Sequence, residues 1–161
     1  MIQLIHIVFG FSSLIFGLYV LCATKGTKRH KAIGKLYVIS MVLLNATAFG
    51  IYELFDGFGI FHWAAIISSM TILGGIGVLM FRRKFKNWVS LHYELMVWSY
   101  IGLLAATSNE AFVHIPVLQD LAKTHNYAPL VAMIFIFLVG SRWETQSKQK
   151  LTNQFRPAKN N

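Results

Sequence analysis

Residues 25–45 read KGTKRHKAIGKLYVISMVLLN, a dense basic loop that runs directly into an apolar segment with His30 at the junction. A cationic loop abutting a hydrophobic run is how a membrane-spanning helix begins on the cytoplasmic side, so this stretch sets both the class of the fold and its orientation. The rest of the chain has the same character. Of its 161 residues, 55% are hydrophobic and only 13% charged, against roughly a quarter charged in soluble domains. Apolar runs cover residues 2–23, 32–52, 60–81, 88–113 and 127–143. Four are long enough to cross a hydrocarbon core of about 30 Å. The fifth is shorter, but its APLVAMIFIFLVG core carries no charge and Arg142 can snorkel to the surface. Backbone groups must be paired in lipid, so the runs are expected to be helices. The expected fold is all-α: an integral membrane bundle of five transmembrane helices over residues 1–143, followed by a basic tail at 144–161. The first run lacks a positive n-region and exceeds a signal-peptide h-region, so it is expected to be a mature span.

Charge distribution settles what the basic balance means. Lys25, Lys28, Arg29, Lys31 and Lys35 flank the first loop, Arg82, Arg83, Lys84 and Lys86 the third, and Arg142, Lys148, Lys150, Arg156 and Lys159 the tail. Lys123 alone falls on the other side, where Glu53, Asp56 and Asp120 also lie. This one-sidedness argues against a nucleic-acid partner. It expects the N-terminus outside, the C-terminus in the cytoplasm and an odd number of spans, as for a multi-pass protein of a bacterial cytoplasmic membrane. The single Cys22 allows no disulfide within the chain and no thiolate cluster, and is expected to be a small apolar filler.

Helical spacing then selects the interior faces. His6, Gly10, Ser13 and Gly17 share one face of the first span, which is a packing groove of small residues with a histidine at its outer end. On the second, His30, Gly34, Tyr37, Met41, Asn45, Ala48 and Tyr52 form a polar and small stripe expected to face the bundle interior. His62 opens the third span, which continues into GlyGlyIleGly at 74–77. That run lacks the strand context and the lysine of a phosphate loop and is expected to serve close helix packing. On the fourth span His92, Ser99, Ala106 and Glu110 share a face, Glu94 points nearly opposite and Asn109 lies to the side. A carboxylate at mid-membrane costs roughly 2.5–3.5 kcal/mol on insertion scales, so each needs a partner. For Glu94 these are Lys84, Lys86 or a histidine; Glu110 is near enough the outer surface to be hydrated. The segment VHIPVLQDLA at 113–122 is expected to be a short helix lying on the membrane. The polar tail is expected to be helical at first and then disordered.

The combination of His6, Gly10 and Gly17, of Lys25-Gly26 with His30, Gly34, Tyr37 and Met41, and of Trp88, His92, Met96 and Tyr100 resembles bacterial membrane proteins of the domain of unknown function 2306. The resemblance covers about the first 110 residues and implies an architecture without an activity. With small membrane cytochromes b the chain shares only a layout, several helices with histidines near both membrane faces.

The polar residues sort into two layers. The outer holds His6, His62, Asn45 and Glu110, rimmed by Asn109, Glu53 and His114, and the inner holds His30, His92 and Glu94. Two imidazoles from different helices can ligate a b-type haem, which gives His6 with His62 and His30 with His92 as candidate axial pairs for membrane redox chemistry. A divalent metal held by His6, His62 and Glu110 is the related alternative. Other readings are a small proton-linked transporter subunit, with His92, Glu94 and Glu110 titrating along a pathway, and an assembly or scaffold protein whose polar groups simply pair. The lipid bilayer is the expected partner, with a homo-oligomer or another membrane protein as a further one. No catalytic residue stands out, and the chain is not expected to be an enzyme by itself.

Overall fold

The computed structural model describes residues 1–51 and 60–155. Six α-helices follow one another: α1 (Ile2–Cys22), α2 (Lys28–Ala48), α3 (Ile60–Met80), α4 (Trp88–His114), α5 (Pro116–Thr124) and α6 (Ala128–Phe155). A single 3₁₀ turn, Arg82–Lys84, joins α3 to α4. The described residues contain no strand. Tyr52 and the outer turn with Glu53 and Asp56 lie outside the described residues, as do 156–161 of the tail.

Four helices, α1, α2, α3 and α6, are long and apolar enough to cross a membrane, and there are five spans if α4 with α5 counts as another. The chain is therefore an all-helical multi-pass bundle. In α4 the apolar run is interrupted by His92, Tyr93, Glu94 and Ser99, as suits the helix with the most protein neighbours. It packs against α3, α6, α5 and α1, while α1 packs mainly on α2. Large apolar side chains such as Phe11, Ile15, Ile67 and Phe135 point outward. The interior holds small and polar groups beside Tyr37, Met41, Ile72, Tyr100 and Leu103. That inversion is expected where lipid replaces water outside and helix association depends on close fit rather than on hydrophobic driving force.

One helix end differs from the sequence expectation. α2 starts at Lys28 rather than near residue 32, because the Thr27 side chain accepts the backbone N–H of His30 at 3.1 Å and caps the helix inside the basic loop. α6 passes residue 143 without a break and continues to Phe155. At the end of α4 the chain turns by 90° into α5, with Pro116 in its first turn. Ile115, Val117 and Leu121 remain exposed there.

Candidate functional site

The junction of α1 and α2 is stitched by Lys25, whose Nζ donates to the carbonyls of Val20 and Leu21 at 2.8 and 2.6 Å. These are orphan acceptors of the last turn of α1, where a cation is also favoured by the helix dipole. Desolvation on burial lowers the pKa of Lys25 from its ordinary value, and the neighbouring Cys22 opposes that shift. Cys22 itself is a free thiol on the exposed face of α1. The carbonyl of Val20 also faces the ring of His30.

The register of α2 against α4 is set two turns deeper. Tyr37 and Ser99 are both buried and their hydroxyls lie 2.9 Å apart. Ser99 spends its proton on the Met96 carbonyl at 2.8 Å, so Tyr37 is the donor. α2 and α4 run parallel, each starting at the end of the bundle with the basic loops. Seven residues back from Tyr37 is His30, and seven back from Ser99 is His92, a step of two turns that returns each helix to the same face. His30 and His92 therefore lie at one level of the bundle, within electrostatic reach of each other.

Both imidazoles are oriented by main-chain groups. His92 Nδ1 lies 2.9 Å from the carbonyl of Gly75, which can only accept, so Nδ1 carries the proton and Nε2 keeps a lone pair. α4 packs on α3 against this glycine: a Cβ at Gly75 would meet Met96 Sδ at 2.7 Å, so that side chain would have to shift. Gly74 and Gly75 of the GlyGlyIleGly run thus lie in the packing surface, and Gly75 offers a carbonyl to His92. A Cβ at Gly77, by contrast, would meet nothing within 4 Å among the described residues. His30 Nδ1 is buried and has no hydrogen-bond partner among the described residues.

The outer pair is not brought together in the same way. His6 Nδ1 lies 2.9 Å from Thr47 Oγ1 on α2. His62 is buried at the start of α3, its ring 6.3 Å from that of Phe49. α1 and α3 each pack on α2. Glu110 lies close enough to His6 to act on its charge, but its contact is His114 at 3.1 Å. Among the described residues no group of three or more His, Cys, Asp or Glu side chains converges as a metal centre. Asn45 donates to Ser68 and Ser69 on α3 at 3.2 and 3.1 Å, and Asn109 approaches Met133 on α6 at 3.9 Å.

Glu94 forms an ion pair with Lys148 of α6, rather than with Lys84, Lys86 or a histidine. Beside it, Tyr93 and Glu144 are buried between α4 and α6. The tail boundary drawn at 143 hid Glu144 and Lys148, although their four-residue spacing continues the helical pattern of the preceding run.

Helices of spanning length, lipid-facing apolar surfaces and a small-residue interior define a polytopic membrane protein. The chain belongs to the DUF2306 family, described as "Predicted membrane protein", whose model matches residues 3–142. No curated protein and no solved structure matches it.

Proposed function

We propose that this membrane protein binds a transition-metal ion between α2 and α4 through His30 and His92. The observation that carries the reading is the pairing of two imidazoles with unspent lone pairs at one level. His92 is held by the Nδ1–H bond to Gly75, with Nε2 free to ligate, and His30 Nδ1 is buried without a partner among the described residues. A histidine whose second ring N–H donates to a backbone carbonyl has the tautomer and rigidity of a metal ligand. Two imidazoles suit Zn, Cu, Fe or Ni and leave the other coordination positions to water or substrate. The bound ion would supply Lewis-acid or redox chemistry. The protein's part is to fix the two rings: Gly75 orients one, and the Tyr37–Ser99 bond keeps the helices in register.

A b-type haem is the second reading, from the same two histidines. It is less favoured because a macrocycle would have to enter between helices whose side chains are in direct contact two turns deeper. Positive-inside asymmetry accompanies either reading and assigns the basic end to the cytoplasm of a bacterial plasma membrane. Reporter fusions to the C-terminus test that assignment, and an extracytoplasmic signal would reverse it.

The deciding experiment is elemental analysis and an absorption spectrum of one detergent-purified sample, with His30→Ala, His92→Ala, His6→Ala and His62→Ala in parallel. The expected result is near-stoichiometric metal that is lost in the first two variants and kept in the last two. A Soret band lost in the same two variants would establish the haem reading instead. Metal content unchanged in His30→Ala and His92→Ala, or no uptake by the wild type after incubation with Zn, Cu, Fe or Ni, would overturn the assignment.

A further inference from the structure

A groove of about 650 Å³ opens at the basic end of the bundle, between the last turn of α1 and the first of α2. Tyr19 and Cys22 form an apolar wall, Thr24 and Thr27 supply hydroxyls, and Lys28 and Arg29 supply charge. Thr27 is already engaged, donating to Thr24 and capping His30, and Lys25 is turned inward onto α1. Lys28 and Arg29 remain as exposed cations with no ion pair among the described residues. No Asp or Glu occurs along the chain before Glu53. The described ion pairs place Glu94 on Lys148, Glu110 on His114 and Asp120 on Lys123.

The apolar wall does not end at the groove. Phe11, Ile15, Leu18 and Cys22 recur at intervals of four, three and four and are all exposed, so one outward-facing stripe of α1 runs into the cationic mouth. A diester phosphate with an acyl chain matches both halves: anion against Lys28, Arg29 and Thr24, chain along the stripe. We infer that this groove is a binding site for an anionic glycerophospholipid, with its phosphate between Lys28 and Arg29. The assignment is independent of metal binding at His30 and His92.

The test is native mass spectrometry of the detergent-solubilised full chain titrated with phosphatidylglycerol, with phosphatidylcholine and inorganic phosphate as comparisons. Lys28→Ala with Arg29→Ala is set against Arg82→Ala with Arg83→Ala, which removes the same charge away from the groove. Both pairs are exposed. Phosphatidylglycerol affinity should fall roughly 30-fold in the groove variant, about fivefold per cation, and change little in the control. Phosphatidylcholine should bind weakly to both, and millimolar phosphate should not displace the lipid. An equal loss in the control would overturn the site in favour of diffuse attraction. Displacement by phosphate alone, or equal binding of phosphatidylcholine, would overturn the lipid assignment.

Discussion

His92 donates its Nδ1 proton to the carbonyl of Gly75 at 2.9 Å, and the Met96 side chain of the same helix fills the space where Gly75 has no Cβ. Gly75→Ala would set a methyl 2.7 Å from Met96 Sδ. Overpacking of this kind costs about 1–3 kcal/mol, and the expected outcome is a lower unfolding temperature in detergent. Met96→Ala in the same chain should recover much of the loss relative to the sum of the single variants, because the two sites share one contact.

A sharper contrast lies among the other helical glycines. A Cβ at Gly17 would enter the ring of Tyr100 and come within 2.9 Å of Tyr37, whereas at Gly34 and Gly77 nothing lies within 4 Å. Gly17→Ala should destabilise the bundle by about 1–3 kcal/mol. Gly34→Ala and Gly77→Ala should be neutral or stabilising by up to about 1 kcal/mol through helix propensity. Denaturation of the three variants side by side distinguishes packing glycines from permissive ones.

The Tyr37–Ser99 bond is open to a double-mutant cycle with Tyr37→Phe and Ser99→Ala. Hydrogen bonds between membrane helices average about 0.6 kcal/mol and reach about 1.7. A coupling energy in that range is expected. Zero coupling would show that the bond does not hold α2 and α4 in register.

The ion pair of Glu94 with Lys148 fastens the end of α6 to α4. The two side chains are 29% and 39% exposed, so solvent screens the pair and its coupling should not exceed about 1 kcal/mol. Lys148→Met should nevertheless loosen the last turns of α6. Limited proteolysis is expected to cut beyond Trp143 faster in the variant than in the wild type.

Ser13 gives a prediction of opposite sign. It is fully buried against the neighbouring helices, yet its Oγ has no hydrogen-bond partner among the described residues. Ser13→Ala removes an unsatisfied polar atom without opening a large cavity, and should leave stability unchanged or raise it. A loss above about 1 kcal/mol would point to a partner for this hydroxyl.

Much of the architecture was legible because the bilayer imposes it. Spanning length follows from hydrocarbon thickness, and helicity from the need to pair backbone groups where there is no water. The interior stripe of α2 was also legible: Tyr37, Met41 and Asn45 are buried, since small and polar side chains avoid lipid. Partners were harder to read. Glu94 was matched to the basic loop nearest in sequence, but Lys148 reaches it because α6 runs antiparallel to α4 and brings a residue more than fifty positions away alongside. His30, which the sequence places at the junction of the basic loop and the second span, lies in the first turn of α2. The Thr27 cap draws Lys28 and Arg29 of the basic loop into the helix, and the Nδ1 of His30 is buried.

By itself, then, the sequence determined the class of protein, the approximate spans and the faces that turn inward, because those depend on local periodicity and on transfer between water and lipid. Only the tertiary structure decided which histidines share a level. Helix packing and register are set by Gly17 and Gly75, where side chains of neighbouring helices occupy the space of a Cβ, and by the Tyr37–Ser99 bond, where two parallel helices are locked at one level. The close fit of those surfaces has no counterpart in the spacing of residues along any one helix. It puts His30 and His92 at one level at the basic end, while His6 bonds Thr47 and His62 lies beside Phe49.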